Sequence, residues 1–223
     1  MRPGLISTQE LADRLDSVRV LDASWYLPTS GRDPRAEWLE RRIPRARFFD
    51  LDAASDPDSS LPHMLPDAAR FEATVRALGI STGDPIVVYD GSGANISAAR
   101  CWWMFRAFGH DEIRVLDGGL PLWLRQGRQT DEGEPLPAMP GDFRARPRAG
   151  LVLSLEQVRA LAADGGTQLV DMRSAARFAG EEPEPRAGIR GGHIPGSRNV
   201  PYQTLVDADG RLLAAEALRA RLA

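Results

Sequence analysis

Ile86-Val87-Val88-Tyr89-Asp90-Gly91-Ser92-Gly93 opens the segment that decides the fold. Its first four residues are apolar or aromatic without alternation, which reads as a strand buried on both faces, and a glycine-rich turn after Asp90 leads into a long apolar helix, roughly 95–108. A further strand, Ile113 to Leu116, follows. Upstream, Ser7-Thr8-Gln9-Glu10 is a capping-box pattern that opens an amphipathic helix to about Asp16, and a short buried strand runs from Val18 to Asp22. An Arg-rich, Pro-punctuated stretch, the run Phe48-Phe49-Asp50-Leu51-Asp52 and a polar loop to His63 precede a helix from about Asp67 to Leu78. Strands alternating with helices predict an α/β fold, a parallel sheet covered by helices.

Downstream, residues 128–149 contain four prolines and no periodicity, and are expected to form a surface linker between a first domain, 1–127, and a second, 150–223. The pattern then restarts. Ser154-Leu155-Glu156-Gln157 repeats the capping box, a helix runs to about Ala163, and Gln168-Leu169-Val170-Asp171 repeats the strand that ends in Asp. Asp22 lies 21 residues before Ile43-Pro44, and Asp171 lies 23 before Ile194-Pro195. The same elements in the same order point to a tandem duplication. The second copy is expected to be incomplete, because Ser7 to Gly127 takes 121 residues and Ser154 to Ala223 only 70. By this alignment the strand, glycine-rich loop and helix have no counterpart in the second copy.

Composition narrows the chemistry. The 223 residues are 43% hydrophobic and 26% charged, enough apolar content for a real core. All 28 basic residues are Arg, so lysine imine and P-loop chemistry are excluded and anion recognition falls to guanidinium groups. A net charge of −3 gives no sign of nucleic-acid binding. No apolar run is long enough for a membrane span and no signal-peptide pattern opens the chain, so a cytoplasmic protein is expected. The single cysteine, Cys101, excludes an internal disulfide and a thiolate metal cluster, and no cofactor is implied.

The segment from Arg177 to Gly196, with Arg186 and Gly191-Gly192-His193-Ile194-Pro195 inside it, closely resembles the second domain of the two-domain rhodanese-like sulfurtransferases of the 3-mercaptopyruvate type. Tyr89-Asp90-Gly91-Ser92-Gly93, Ser97 to Phe105, Phe108-Gly109-His110, Leu116-Asp117-Gly118-Gly119 and His63-Met64-Leu65-Pro66 resemble the first domain. The resemblance implies tandem rhodanese-like domains and transfer of sulfur from a small anionic donor, 3-mercaptopyruvate or thiosulfate, to a thiol or cyanide acceptor through a cysteine persulfide. It implies that Arg177 and Arg186 clamp the donor, a task suited to a planar bidentate fork. An Arg at 186, where thiosulfate-preferring relatives carry an acid, favours mercaptopyruvate. It also implies that Asp52 and His63 are a pair that handles the proton when sulfur departs. In this alignment the nucleophilic cysteine falls beyond residue 223, so the chain alone is expected to be inactive.

Plainer readings stand beside these. Each Arg could close a loop by pairing with Glu181, Glu182 or Glu184, and Asp52 could merely cap a loop over a packed His63. His193 is expected to fix its turn by hydrogen bonding, and His110, after Phe108-Gly109, to be a helix C-terminal residue that complements the dipole. Asp90 replaces the catalytic cysteine in the first copy, which is therefore expected to be silent; an aspartyl nucleophile and a dinucleotide site are the weaker alternatives. Cys101 falls on the apolar face of its helix and is expected to be core. The competing reading of the whole is a non-catalytic anion-binding or regulatory module.

Overall fold

Five short strands, β1 (Leu5–Ile6), β2 (Arg19–Asp22), β3 (Arg47–Phe48), β4 (Ile86–Tyr89) and β5 (Ile113–Leu116), form one parallel sheet in the order β1-β5-β4-β2-β3. This is a computed structural model, and it describes residues 4–185 and 188–222. β4 lies at the centre of the sheet, which is why all four of its residues are apolar or aromatic and buried. Alternate side chains point to opposite faces. Ile86 and Val88 join Leu21, Ile113 and Val115 in one core, whereas Val87 and Tyr89 join Val20 and Leu116 in the other.

Helices cover both faces. On the first lie α3 (Ala68–Ala77), through Phe71 and Val75, and α4 (Ile96–Ala107), through Cys101, Met104 and Phe105. On the second lie α1 (Thr8–Ala12), through Leu11, and α5 (Gly119–Arg125), through Trp123. A further short helix, α2 (Pro34–Glu40), starts at Asp33, whose carboxylate accepts from the amides of Arg35 and Ala36. The predicted capping box is present: the Ser7 hydroxyl accepts from the Glu10 amide at 3.2 Å, and the Ser7 amide donates to the Glu10 carboxylate at 3.0 Å.

The chain divides into two units, Met1–Ala149 and Gly150–Ala223. Residues 128–149, expected to be a linker, instead pack on the first unit. Phe143 sits in its core with ring centroids 5.8 Å from both Phe71 and Phe105, and the Arg76 guanidinium donates to the Phe143 carbonyl at 2.8 Å. One buried aromatic outweighs a proline-rich composition, because it removes well over 100 Å² of apolar surface from water.

The second unit contains α6 (Leu155–Asp164), β6 (Val170–Asp171), α7 (Ala175–Ala179), β7 (Arg198–Asn199) and α8 (Ala215–Leu222). Its Ser154 capping box is formed as expected. β6 pairs with β7 in parallel, Asp171 opposite Asn199, as Asp22 of β2 lies opposite Phe48 of β3. The two Asp residues close their strands alike: Asp22 Oδ1 accepts from the Ser24 amide and Asp171 Oδ1 from the Arg173 amide, each at 2.9 Å. The tandem copy is therefore visible in backbone register as well as in sequence.

Candidate functional site

Parallel strands release their chain ends on one side of the sheet, and the chemistry-bearing residues of the first unit gather there. Past β3 the chain turns through Asp50 to Asp52. Within the loop that precedes α3 stands His63, with a left-handed backbone (φ 56) that a non-glycine residue adopts only where its surroundings hold it. They do hold it: Arg100 of α4 donates to the His63 carbonyl, and the edge of Trp25 packs on the imidazole at 4.7 Å between centroids.

That fixed ring places His63 Nε2 2.6 Å from Asp52 Oδ1, while the Trp25 indole N–H donates to Asp52 Oδ2 at 3.1 Å. The structure thus brings together the two residues that sequence placed eleven apart. Trp25 was not anticipated; its only sequence signal is its position three residues after the Asp that ends β2. The pair remains open to solvent, the Asp52 side chain being 69% exposed.

Asp90 closes β4 in the other prominent loop. Its carboxylate accepts from the Ser92 amide and hydroxyl at 2.9 and 2.6 Å, the Ser97 hydroxyl at 3.0 Å and the Ala98 amide at 3.0 Å. The loop and the first turn of α4 are therefore a cradle for negative charge, already filled by the chain's own carboxylate. Asp90 is fully buried, so it presents no attacking oxygen, and no dinucleotide phosphate could reach these donors without displacing it. Over the loop, Arg32 donates to the Tyr26 hydroxyl at 2.7 Å and to Glu37 at 2.6 Å. An added Cβ at Gly91 would collide with that Tyr26 hydroxyl, which is why glycine stands there.

In the second unit, Ser174 caps α7 through the Arg177 amide, and α7 ends at Gly180 in the left-handed conformation. The helix presents Arg177 to Glu184, and Arg173 reaches the other oxygen of the same carboxylate. Arg173 also chelates Asp171 and donates to the Gly192 carbonyl at 2.7 Å. The Arg177 hydrogen bond, ahead of any other influence, holds the Glu184 carboxyl below its usual range, and Arg173 does the same for Asp171. Glu184 thus decides among the three acids that sequence offered, since its side chain is 4% exposed and lies between two guanidinium groups. The Arg177 Nε is buried without a partner. Arg186 lies outside the described residues. Arg173 was missed, although its place two residues after a strand-ending Asp mirrors Ser24.

His193 stacks on Phe178 at 3.7 Å and its Nδ1 lies 2.8 Å from the Phe178 carbonyl, so it pins the Gly191-Gly192 turn to α7. His110 follows the C-terminus of α4, as expected, its amide donating to the Phe105 carbonyl at 2.9 Å. It is buried between Phe105 and Phe143, and burial lowers its pKa, which opposes protonation. Cys101 is fully buried in the α3–α4 core, and burial pushes its thiol well above the ordinary value. No helix is long and apolar enough to cross a membrane among the described residues.

Residues 7–126 and 154–220 match the family model described as Rhodanese-like domain. The mitochondrial thiosulfate/3-mercaptopyruvate sulfurtransferase 1 of Arabidopsis thaliana is 44% identical over 228 residues, covering 93% of this chain and 60% of that protein. The 3-mercaptopyruvate sulfurtransferase of Homo sapiens is 43% identical over 222 residues, covering 96% of this chain and 74% of that one. Among solved structures, SseA of Escherichia coli, described as a 3-mercaptopyruvate sulfurtransferase with the rhodanese fold, gives a TM-score of 0.89 at 35% identity over 99% of this chain and 82% of its own.

Proposed function

The chain belongs to the tandem rhodanese-like sulfurtransferases of the 3-mercaptopyruvate type, and from that premise we propose that it supplies the donor-binding part of a persulfide sulfur transfer. The observation that carries this reading is the convergence of Arg173 and Arg177 on the single carboxylate of Glu184. Glu184 now fills these two guanidinium forks, as the loop-closing reading expected, and a site that holds one carboxylate suits a 2-oxo acid's carboxylate that shares or takes its place. In this reading the donor's carboxylate joins or replaces Glu184 on Arg177, and Arg186 takes the second contact.

The chemistry then runs in two steps. A cysteine thiolate attacks the sulfur of 3-mercaptopyruvate, the carbon–sulfur bond breaks, and its electron pair leaves as the enolate of pyruvate. The enolate takes a proton, for which His63 oriented by Asp52 is the proposed source, and the persulfide passes its outer sulfur to an acceptor thiolate or cyanide. Neither first-copy candidate supports a nucleophile within these 223 residues. Cys101 is fully buried with a thiol raised by burial, and Asp90 occupies its own cradle. This polypeptide alone is therefore proposed to be inactive while retaining affinity for the donor's carboxylate.

The test has two arms. Mercaptopyruvate-dependent sulfide release by the 223-residue chain should be absent, and turnover that Cys101→Ser abolishes would overturn the assignment. Pyruvate, used as a non-transferring probe, should bind the wild type and lose affinity on Arg177→Ala. Absence of pyruvate binding would overturn the donor-binding reading.

A further inference from the structure

A cavity of about 430 Å³ opens at the other end of the first unit's sheet. It starts at Val18 and Arg19, where β2 begins, and Gly79 and Ile80 behind α3 close one side. Residues 131–139 form the outer wall. Asp52, His63 and Asp90 all follow the carboxyl ends of their strands, so this cavity is separate from the site described above.

Its lining is rich in guanidinium groups: Arg19, Arg42, Arg45 and Arg47, with Asp131 as the one carboxylate. Arg19 is paired with Asp84 and Arg45 with Asp16, both outside this lining. Among the described residues neither Arg42 nor Arg47 has a carboxylate partner, and the Arg42 guanidinium lies over the Trp38 ring at 4.6 Å. Arg42 is 3% exposed and donates only to backbone carbonyls, Gly133 at 2.6 Å, Glu132 at 3.2 Å and Trp38 at 3.3 Å, and its Nε has no partner. Arg47 donates to the Leu136 carbonyl at 2.6 Å. Asp131 is spoken for in part, since Oδ2 accepts from the Arg45 amide at 2.8 Å.

Two guanidinium groups without a counter-charge face one unpaired carboxylate, which leaves the cavity one positive charge in excess. A buried guanidinium that lacks a counter-charge is costly, and low-dielectric walls concentrate its field in the space it faces. The opposite wall is apolar, built from Pro135, Pro137, Ala138 and Met139. We propose that this cavity binds a small organic monocarboxylate, its head on Arg47 in the field of buried Arg42 and its compact apolar body against Pro135, Pro137 and Met139. One negative charge balances the excess, the planar head suits a guanidinium fork, and the volume suits a ligand of this size.

Phenylacetate is the probe, acetate the comparison, and the readout is the Met139 methyl resonance in protein labelled at its five methionine methyls. Phenylacetate should shift that resonance saturably and bind more tightly than acetate. Arg47→Ala should weaken binding by at least about tenfold, the cost of losing a charge-assisted contact. Met139→Ala, at an 87% exposed position that leaves the fold untouched, should weaken phenylacetate, read by calorimetry, and spare acetate. Arg177→Ala should change nothing. No saturable shift, equal affinity for the two acids, full affinity in Arg47→Ala, or loss of binding in Arg177→Ala would each overturn the proposal.

Discussion

His63 Nε2 lies 2.6 Å from Asp52 Oδ1, across a loop that Arg100 of α4 ties down by the His63 carbonyl. The contact is short but wet, and its role differs from that of the buried carboxylate at Asp90. Asp52→Ala should lower stability by at most about 1 kcal/mol, the range of exposed ion pairs. Asp90→Ala strands the Ser92, Ser97 and Ala98 donors in a closed loop and should cost about 3 kcal/mol or more. Urea denaturation of both variants checks the contrast; equal losses would mean the Asp90 cradle is not closed.

Cys101 should be unreactive in the folded protein. Burial removes access and raises the thiol, and both oppose formation of the attacking thiolate. A chromogenic disulfide reagent should titrate no thiol in native buffer and one per chain in denaturant. Rapid native labelling would contradict the packing.

The stability of the first unit should depend on Asp22 in a pH-specific way. Burial is the main cause that raises its pKa from 3.8 to about 6, against hydrogen bonds from Ser24 and Tyr89 that lower it. Between those values the folded state holds a proton that the unfolded chain has released, so this residue's contribution falls as pH rises from about 4 through 6. The loss is complete above the folded pKa and amounts to about 3 kcal/mol at most. Asp22→Asn has no such titration. Its stability relative to wild type should improve over that interval, as followed by thermal melting from pH 4 to 7; a constant difference would rule out the raised pKa.

The second unit should open before the first. Val170 of its two-stranded sheet and Met172 just beyond it are exposed, and among the described residues only Val200 and Leu205 of its apolar side chains are buried. Few buried contacts give a low local opening free energy. Brief trypsin treatment should leave a resistant fragment ending between Arg148 and Arg159, identified by mass. First cleavage within the 86–116 region would contradict this order.

The reach of the sequence can be judged from particular elements. β4, α4 and β5 were legible because each carries a local signal long enough to count: an unbroken apolar strand, a twelve-residue helix and a second strand. The two-residue strands β1 and β3 and the seven-residue helices α2 and α5 were not, since so few residues show no period. The family motifs named Asp52, His63 and Arg177 but not Trp25 or Arg173, which meet their partners, Asp52 and His63 for the one and Glu184 and the Gly192 carbonyl for the other, only in the folded chain.

By itself, then, the sequence determined the alternation of strands and helices, the tandem repeat, the reliance on arginine and the burial of Cys101. These follow from composition and short-range pattern, which act within a few residues. Tertiary structure alone decided the strand order, the capture of Phe143 by the first core, the choice of Glu184 over Glu181 and Glu182, and the burial of Arg42 against backbone carbonyls and the Trp38 ring. Each of these depends on which distant groups arrive at one place, and burial and charge pairing settle that only once the chain has folded.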